Sequence, residues 1–271
     1  MSLIVASLQL CSSTSIDTNL TQIQSLISQA KSQNASLIVL PENMALMAKS
    51  KAESMQVWEE YGKGKIQSFL SEQARANRVW IVGGTIPICC AQPDKVRSAC
   101  IVFDDNGEMV ARYDKMHLFD VVLPGGEIYA ESDTFEAGED VVVIDTPFGR
   151  MGIAICYDLR FPELFRAMFA KGAEFFVVPS AFTAKTGEAH WEVLLRARAI
   201  ENFCYVVGAC QGGRHENGRE TFGNSMIVEP WGGVVARCGR GEVGVVVGEL
   251  DLGKVKVARE MMPIEKHRVL F

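Results

Sequence analysis

Short apolar runs alternate with longer amphipathic segments along the whole chain. The runs are rich in Val, Ile, Leu and Phe, which is typical of buried strands. The longer segments repeat apolar residues at three- and four-residue intervals, which predicts helices. The pattern predicts strands at 3–9, 36–40, 80–85, 99–103, 107–112, 141–146, 151–156, 175–178, 204–209, 225–228 and 245–249, and helices at 18–33, 66–77, 162–171 and 190–202.

The two halves of the chain repeat one design. A helix followed by Asn-Ala-Ser-Leu-Ile-Val-Leu-Pro-Glu at 34–42 resembles a helix followed by Gly-Ala-Glu-Phe-Phe-Val-Val-Pro-Ser at 172–180. Each unit is preceded by an apolar strand, at 3–8 and 152–156. Two such βαβ halves predict an α/β fold of two sheets packed face to face with helices outside each, a four-layer α-β-β-α sandwich. An active site would then collect strand ends from both halves.

Composition narrows the function classes. The chain has 271 residues, of which 48% are hydrophobic, and a net charge of −6 with no basic run, so we expect neither nucleic acid nor a membrane surface as partner. Without linkers or low-complexity tracts, residues 1–271 are predicted to form a single domain. No apolar run reaches the roughly 18 residues of a membrane span, and the N-terminus lacks a charged leader, so we expect no signal peptide.

The cysteines give no sign of disulfides or metal. Eight cysteines are scattered, several of them inside apolar strands, and no Cys-x-x-Cys or His-Glu-x-x-His pattern occurs. Reduced thiols in a cytoplasmic protein are the simplest interpretation. A phosphate-binding glycine loop is also missing, because Gly212-Gly213 is interpreted as a turn in a polar loop. We therefore expect neither a metal nor a cofactor.

Cys156 is the strongest candidate for chemistry. It ends the apolar strand predicted at 151–156, and a helix start follows at Pro162. A thiol between a strand end and a helix start is held on a sharp turn near backbone N–H groups, as a covalent nucleophile requires. A buried core cysteine is the alternative that this stretch leaves open.

Two further segments carry chemical candidates. Glu42 follows the strand at 37–40 and Pro41, where it is either a general base at the sheet edge or an ordinary solvated or capping carboxylate. Lys115 lies among aromatic and apolar residues in Arg-Tyr-Asp-Lys-Met-His-Leu-Phe at 112–119. An ordinary surface lysine is the alternative at that position.

Together, these segments resemble the nitrilase superfamily, the carbon–nitrogen hydrolases. The resemblance rests on Leu-Pro-Glu-Asn at 40–43, Tyr-Asp-Lys-Met-His-Leu at 113–118 and Cys-Tyr-Asp-Leu-Arg-Phe-Pro-Glu at 156–163, and runs from Ile4 to near the C-terminus. It implies the same four-layer sandwich, an amidase activity and a homodimer or larger assembly. We expect the apolar tail at about 255–271 to lie at the subunit interface.

The resemblance also implies catalytic roles that suit the residue types. A thiol has a pKa of ~8.5 and is mostly protonated at neutral pH, so Glu42 would take the Cys156 proton and later pass it to the leaving amine. Lys115 and the Tyr157 N–H would stabilise the oxyanion. Water would then hydrolyse the thioester acyl-enzyme. A second carboxylate is implied between Lys115 and Cys156, and Glu131 matches it better than Glu127 or Glu136.

The later segments narrow the substrate. Those at 179–187, 190–201, 211–215 and 262–268 look like the deaminated-glutathione amidase branch, which cleaves an α-ketoglutaramyl amide to α-ketoglutarate and Cys-Gly. Arg160, four residues after the nucleophile, carries a guanidinium that suits the keto-acid carboxylate.

Each substrate-binding candidate also has a plainer interpretation. Phe182 and Thr186 are predicted to line the acyl site, but they could be a core residue and a turn residue. Arg160 could instead pair with Glu163. Arg196 and Arg198 are expected to form structural ion pairs.

Several alternative functions remain open at this point. Within the superfamily, the chain could be an ω-amidase acting on α-ketoglutaramate, a nitrilase or a carbamoylase. Outside enzymes, it could be a catalytically inactive binding protein on the same fold. A Cys–His protease using His117 or His190 would leave Glu42 and Lys115 unexplained. The loop at 121–126 lacks the acidic residue that is frequent in the superfamily, so it bears on fine specificity.

Overall fold

The structure is a computed structural model and describes residues 2–123 and 125–270. Pro124, in the predicted loop at 121–126, and Phe271, at the end of the predicted tail, lie outside the described residues. The strands are β1 (Ser2–Gln9), β2 (Leu37–Val39), β3 (Trp80–Val82), β4 (Ile86–Cys89), β5 (Val96–Phe103), β6 (Met109–Asp114), β7 (Asp120–Val122), β8 (Ile128–Ala130), β9 (Val143–Thr146), β10 (Gly149–Ile153), β11 (Phe175–Ser180), β12 (Tyr205–Cys210), β13 (Gly212–Arg214), β14 (Glu220–Phe222), β15 (Met226–Val228), β16 (Val234–Arg237) and β17 (Gly244–Asp251).

The helices lie between these strands. They are α1 (Ile16–Ser32), α2 (Lys51–Gln56), α3 (Lys65–Asn77), α4 (Pro162–Ala170), α5 (Ala184–Asn202), α6 (Leu252–Met261) and α7 (Ile264–His267), with short 3-10 turns at Glu131–Asp133 and Cys156–Arg160. Ser15 caps α1 by accepting a hydrogen bond from the Thr18 backbone N–H. Among the described residues, no helix is long and apolar enough to cross a membrane.

Two sheets form the centre of the molecule. The first has the order β17-β1-β2-β3-β5-β4, with β6 also paired to β5, and the second has the order β16-β15-β12-β11-β10-β9. In each sheet three neighbouring strands run parallel, β1-β2-β3 in the first and β10-β11-β12 in the second. The strands flanking each trio pair antiparallel. The repeated βαβ design inferred from the sequence is therefore present in both sheets.

Alternate residues of the first sheet enter different layers. Val5 and Val39 belong to the apolar cluster shared with the second sheet, whereas Leu8 packs with Ile23 of α1 and Leu70 of α3 on the opposite face. This follows from the two-residue period of a strand. On the second sheet, α4 and α5 pack against the outer face. The predicted four-layer α-β-β-α sandwich is confirmed.

Several local predictions were wrong. The strand predicted at 151–156 ends at Ile153, and Cys156 begins a 3-10 turn instead. The helix predicted at 190–202 begins at Ala184, because Thr183 caps it by accepting from the Thr186 N–H. The turn predicted at Gly212-Gly213 forms β13 of a hairpin. Short elements such as β4, β7 and α2 were missed because they hold too few residues to display a period.

Candidate active site

The residues predicted to carry chemistry lie around one cavity of about 210 Å³. Its lining includes Glu42, Lys115, Glu131, Cys156, Tyr157, Arg160, Phe182 and Thr186. Glu42 lies just beyond β2, Lys115 directly follows β6, and Cys156 lies just beyond β10. The cavity therefore collects strand ends from both sheets, as the repeated design predicts, and brings together residues that are far apart along the chain.

A lysine between two carboxylates is the centre of this cavity. Lys115 Nζ lies 2.8 Å from Glu42 Oε1 and 2.8 Å from each carboxylate oxygen of Glu131. All three side chains are largely withdrawn from water, and Lys115 is only 2% exposed. Desolvating an unpaired ammonium costs several kcal/mol, so the two carboxylates are what permits a charged lysine here. The Phe119 backbone N–H donates to Glu131 at 2.6 Å and orients it.

The charges change the proton affinities within the cluster. Burial alone lowers the pKa of Lys115, but the attraction of Glu131 and Glu42 outweighs it and raises that pKa above its ordinary value. Burial would raise the pKa of Glu42, yet its contacts with Lys115 hold it below the usual glutamate range. For Glu131, burial dominates over the attraction of Lys115 and raises the pKa. At neutral pH the arrangement keeps Glu42 as a carboxylate able to accept a proton.

Cys156 is held in an unusual backbone conformation. Its φ is +47°, in the left-handed region that L-residues other than Asn and Asp rarely occupy, at a typical cost of about 1–3 kcal/mol. The thiol contacts the Glu42 carboxylate and the Ala181 backbone N–H. Burial and the negative charge of Glu42 raise the pKa of this thiol well above its ordinary value. The resting pair is therefore a protonated thiol beside an ionised carboxylate.

Asp158 ties the cysteine turn to the lysine segment. Its carboxylate is fully buried and accepts hydrogen bonds from the Tyr113 hydroxyl at 2.7 Å, the Ile155 N–H at 2.8 Å and the His117 N–H at 3.1 Å. The His117 ring Nδ1 lies 2.7 Å away as well. Sequence reasoning missed this role, although an aspartate inside the motif beside the nucleophile was a usable signal. The cavity lining contains neither His117 nor His190, and the carboxylate that Cys156 contacts is Glu42, so a Cys–His pair has no support.

We expect Asp158→Asn to lower the free energy of unfolding by about 3 kcal/mol, because the amide NH₂ would face N–H and O–H donors in a buried site. Activity should fall along with the stability, since the substitution loosens the turn that carries Cys156. Urea unfolding and amide hydrolysis measure both effects. Asp145→Asn is the control, because Asp145 forms an ion pair with Arg150 at the surface; comparable destabilisation there would contradict this role for Asp158.

The backbone around Glu42 is fixed by contacts that the sequence did not reveal. The side-chain amide of Gln211 donates to the Glu42 carbonyl at 3.0 Å, and the Asn43 N–H donates to Thr85 Oγ1 at 2.9 Å. Gly84, at φ +61°, lies so close that a Cβ there would be 2.2 Å from the Pro41 carbonyl oxygen. Glu42 is therefore held by residues distant in the chain from it.

Two arginines line the cavity. The Arg160 guanidinium lies over the rings of Tyr157 and Phe182, at 5.6 and 5.7 Å from their centroids, and Nη2 is 3.3 Å from His190 Nδ1. Among the described residues it forms no ion pair, so the alternative pairing with Glu163 is not observed. Arg219, in the β13–β14 hairpin, was missed although the neighbouring segment at 211–215 was singled out, because the sequence does not show which residue of the hairpin reaches the cavity.

The structure also shows the contacts of the other residues considered in the sequence analysis. Thr186, in the first turn of α5, bonds Thr183 Oγ1 at 2.9 Å. Arg196 pairs with Glu192 and Arg198 with Glu201, as expected of structural arginines, and Arg198 also donates to the Leu159 carbonyl. In the part of the chain that the structure describes, no group of three or more His, Cys, Asp or Glu side chains could hold a metal ion.

Residues 4–260 match the family described as carbon-nitrogen hydrolase. The chain belongs to this family. The match spans both halves of the sandwich and all three segments on which the resemblance to the nitrilase superfamily rests, so that prediction is confirmed, and with it the prediction of an enzyme that hydrolyses carbon–nitrogen bonds.

Curated relatives of this carbon–nitrogen hydrolase share most of its length. The deaminated glutathione amidase of Yersinia enterocolitica is 44% identical over 97% of this chain and 92% of its own. The protein of the same name from Homo sapiens is 39% identical over 98% of this chain and 82% of its own.

Solved structures have the same architecture. Saccharomyces cerevisiae Nit3, described as a member of branch 10 of the nitrilase superfamily, superposes with a TM-score of 0.88 at 32% identity, covering 99% of this chain and 97% of that one. The C. elegans NitFhit protein superposes with a TM-score of 0.90 at 36% identity, and this hydrolase spans 65% of that longer chain.

Proposed function

We propose that this carbon–nitrogen hydrolase is an amidase that cleaves deaminated glutathione to α-ketoglutarate and Cys-Gly through a Cys156 thioester. The observation that carries the proposal is the cavity in which a buried thiol, an ionised Glu42 and the Lys115 ammonium converge beside an arginine without a carboxylate partner. The names of the relatives at 39–44% identity support the choice of substrate.

In the acylation step, Cys156 Sγ bonds to the amide carbonyl carbon while its proton passes to the Glu42 carboxylate. The carbonyl π electrons move onto oxygen, and that charge develops beside Lys115. The ammonium has three N–H groups, so one can serve Glu42, one can be shared by the two Glu131 oxygens, and one can bind the oxyanion. The Tyr157 N–H is the second donor, since the first N–H groups of a helical turn have no partner within it.

Collapse of this intermediate breaks the carbon–nitrogen bond. Glu42 gives its proton to the leaving nitrogen, and the acyl group remains on Cys156 as a thioester. Water then attacks that carbon, Glu42 takes a proton from the water, and the carbon–sulfur bond breaks as the thiolate regains a proton. Because Lys115 lowers the pKa of Glu42, the carboxylate is ionised at neutral pH and can accept a proton first in each half-reaction, and Glu131 orients Lys115 throughout.

The charge of the cavity suits an anionic acyl group. Its lining holds the cations Lys115, Arg160 and Arg219 against the carboxylates Glu42 and Glu131. Arg160 can bind the keto-acid carboxylate while Phe182 and Thr186 border the acyl chain, because a planar guanidinium matches a carboxylate with two hydrogen bonds. An uncharged aliphatic amide would leave this arginine without a partner.

A comparison of kcat/KM values tests the proposal. The kcat/KM for deaminated glutathione should exceed the values for α-ketoglutaramate, an aliphatic nitrile and an N-carbamoyl amino acid. A preference for α-ketoglutaramate would instead assign an ω-amidase. Failure of every compound, together with no covalent Cys156 adduct by intact mass after treatment with an electrophilic amide, would indicate an inactive binding protein and refute the proposal.

We also propose a homodimer or larger assembly that buries the C-terminal tail. Val255 and Ala258 of α6 pack onto the sandwich, whereas Val257, Met261 and Leu270 face outward, Leu270 with 77% exposure. Apolar side chains exposed in a row are typical of an interface. Light scattering at micromolar concentration should give at least twice the monomer mass; a monomer would contradict the assembly.

The proposed compartment is the cytoplasm. Eight cysteines are free, including the buried nucleophile, and a reducing environment preserves thiols. Fractionation of the cells that express it should recover the activity with cytoplasmic markers; recovery with an oxidising compartment would refute this assignment.

A further inference from the structure

A second cavity adjoins the active site. It measures about 170 Å³, and Asn43, Phe135 and Arg219 line both this cavity and the first one. Asn43 directly follows Glu42, so the shared boundary begins beside the proposed base. Within the described part of the chain, Arg219 is the only charged residue of the second lining; the others are apolar or neutral polar residues such as Met47.

Arg219 lies at this boundary, and part of its guanidinium group has no hydrogen-bond partner among the described residues. One guanidinium nitrogen, Nη2, donates to the Ala181 carbonyl at 2.6 Å, and the group lies 5.5 Å from the centroid of the Tyr129 ring. Its Nε is buried without a hydrogen-bond partner among the described residues. None of the described carboxylates forms an ion pair with it. A buried N–H without a partner and a cation without an ion pair, both beside a cavity, favour an anionic ligand.

The two unpaired arginines occupy different places. Arg160 lines only the first cavity, over Tyr157 and Phe182, whereas Arg219 reaches the second. Deaminated glutathione has two carboxylates, one on the keto-acid end of the acyl group and one on the glycine of the leaving Cys-Gly. The amide that joins these parts must lie at Cys156. Two extended residues span at most about 7 Å, so the glycine carboxylate belongs to a position next to the catalytic cavity.

We infer that the second cavity is the leaving-group subsite and that Arg219 binds the glycine carboxylate of Cys-Gly. This assignment rests on the proposed function. The neutral lining of the cavity suits the cysteine side chain and the peptide group between Cys156 and that carboxylate. Arg219 is then a specificity residue: it recognises a dipeptide amine with a free C-terminus, whereas α-ketoglutaramate, whose leaving group is ammonia, makes no use of it.

The test pairs a change in the enzyme with a change in the substrate. Wild-type enzyme and Arg219→Gln are assayed on deaminated glutathione and on its analogue with the glycine carboxylate converted to a carboxamide. The wild type should prefer the free acid by at least about tenfold in kcat/KM, a ratio equivalent to one charge-assisted hydrogen bond. Arg219→Gln should reduce the preference to near unity. Such a cycle isolates the contact from losses common to both substrates.

Arg219→Gln should also reduce kcat/KM on both substrates alike, because Arg219 contributes, less than Lys115 does, to lowering the pKa of Glu42. Arg219→Lys, which keeps the charge, should retain part of the preference. Arg214→Gln is the matched control, since Arg214 lies in the same hairpin and is largely exposed; it should keep the full preference. A wild type indifferent to the carboxamide, or an Arg219→Gln enzyme that keeps the preference, would overturn the assignment. Wild-type inactivity on both compounds would instead refute the proposed function.

Discussion

Cys156→Ala is expected to lower amide hydrolysis by at least about 10⁴-fold while leaving the protein folded, because the thiol forms the acyl bond and nucleophile and base act as one unit. Removing Sγ should not disturb the fold, because the backbone of the turn is held by Asp158 rather than by the thiol. Glu42→Gln should cause a loss of similar order, because the amide cannot accept the thiol proton. Steady-state kinetics, with circular dichroism to verify folding, measure both variants.

Intact mass spectrometry supplies a second measurement for the same residues. Wild-type enzyme mixed rapidly with substrate should carry the acyl group on Cys156, and Cys156→Ala should carry none. Cys238→Ala is the matched control, because Cys238 is a partly exposed thiol outside the cavity lining; it should retain activity and the adduct. Substantial turnover by folded Cys156→Ala would refute the thioester mechanism.

Lys115→Met is expected to have the second-largest effect, a loss of at least about 10³-fold in kcat, since it removes an oxyanion donor from a water-poor site. It also leaves Glu42 and Glu131 buried without a counter-ion, so the free energy of unfolding should fall by roughly 3–5 kcal/mol. Kinetics and urea unfolding measure the two losses. Lys63→Met, at an exposed lysine paired with Glu60, is the control and should change neither.

The residual activity of Lys115→Met should depend on pH differently from that of the wild type. Lys115 holds the pKa of Glu42 below its ordinary value, against burial, which raises it. Glu42 must be ionised to act as base, so wild-type activity should persist to low pH and fall only as Glu42 protonates. Without Lys115, burial dominates, the pKa of Glu42 rises, and the acid limb of kcat/KM should move to higher pH. An unmoved acid limb would mean that Glu42 is not the titrating base.

Much of the architecture could be predicted because it depends on local pattern. Buried strands and amphipathic helices are encoded by neighbours a few positions apart, and the echo between 34–42 and 172–180 was enough to infer two packed sheets. The ends of individual strands and helices were predicted less accurately. The strand before Cys156 was extended too far, because Ala154 and Ile155 are as apolar as the strand itself, although the strand ends at Ile153 and the turn that carries the thiol begins at Cys156.

By itself, the sequence determined the residue types, their order and the segments in which Glu42, Lys115 and Cys156 occur, since each motif is a short stretch of neighbouring residues. Only the tertiary structure decided how their charges are balanced: Lys115 lies between Glu42 and Glu131, and Asp158 joins the turn of Cys156 to the lysine segment. It also decided that Arg219 faces the same cavity. These contacts join positions tens of residues apart, and whether a charge is paired, buried or left for a ligand depends on which chain segments the folded sandwich brings together.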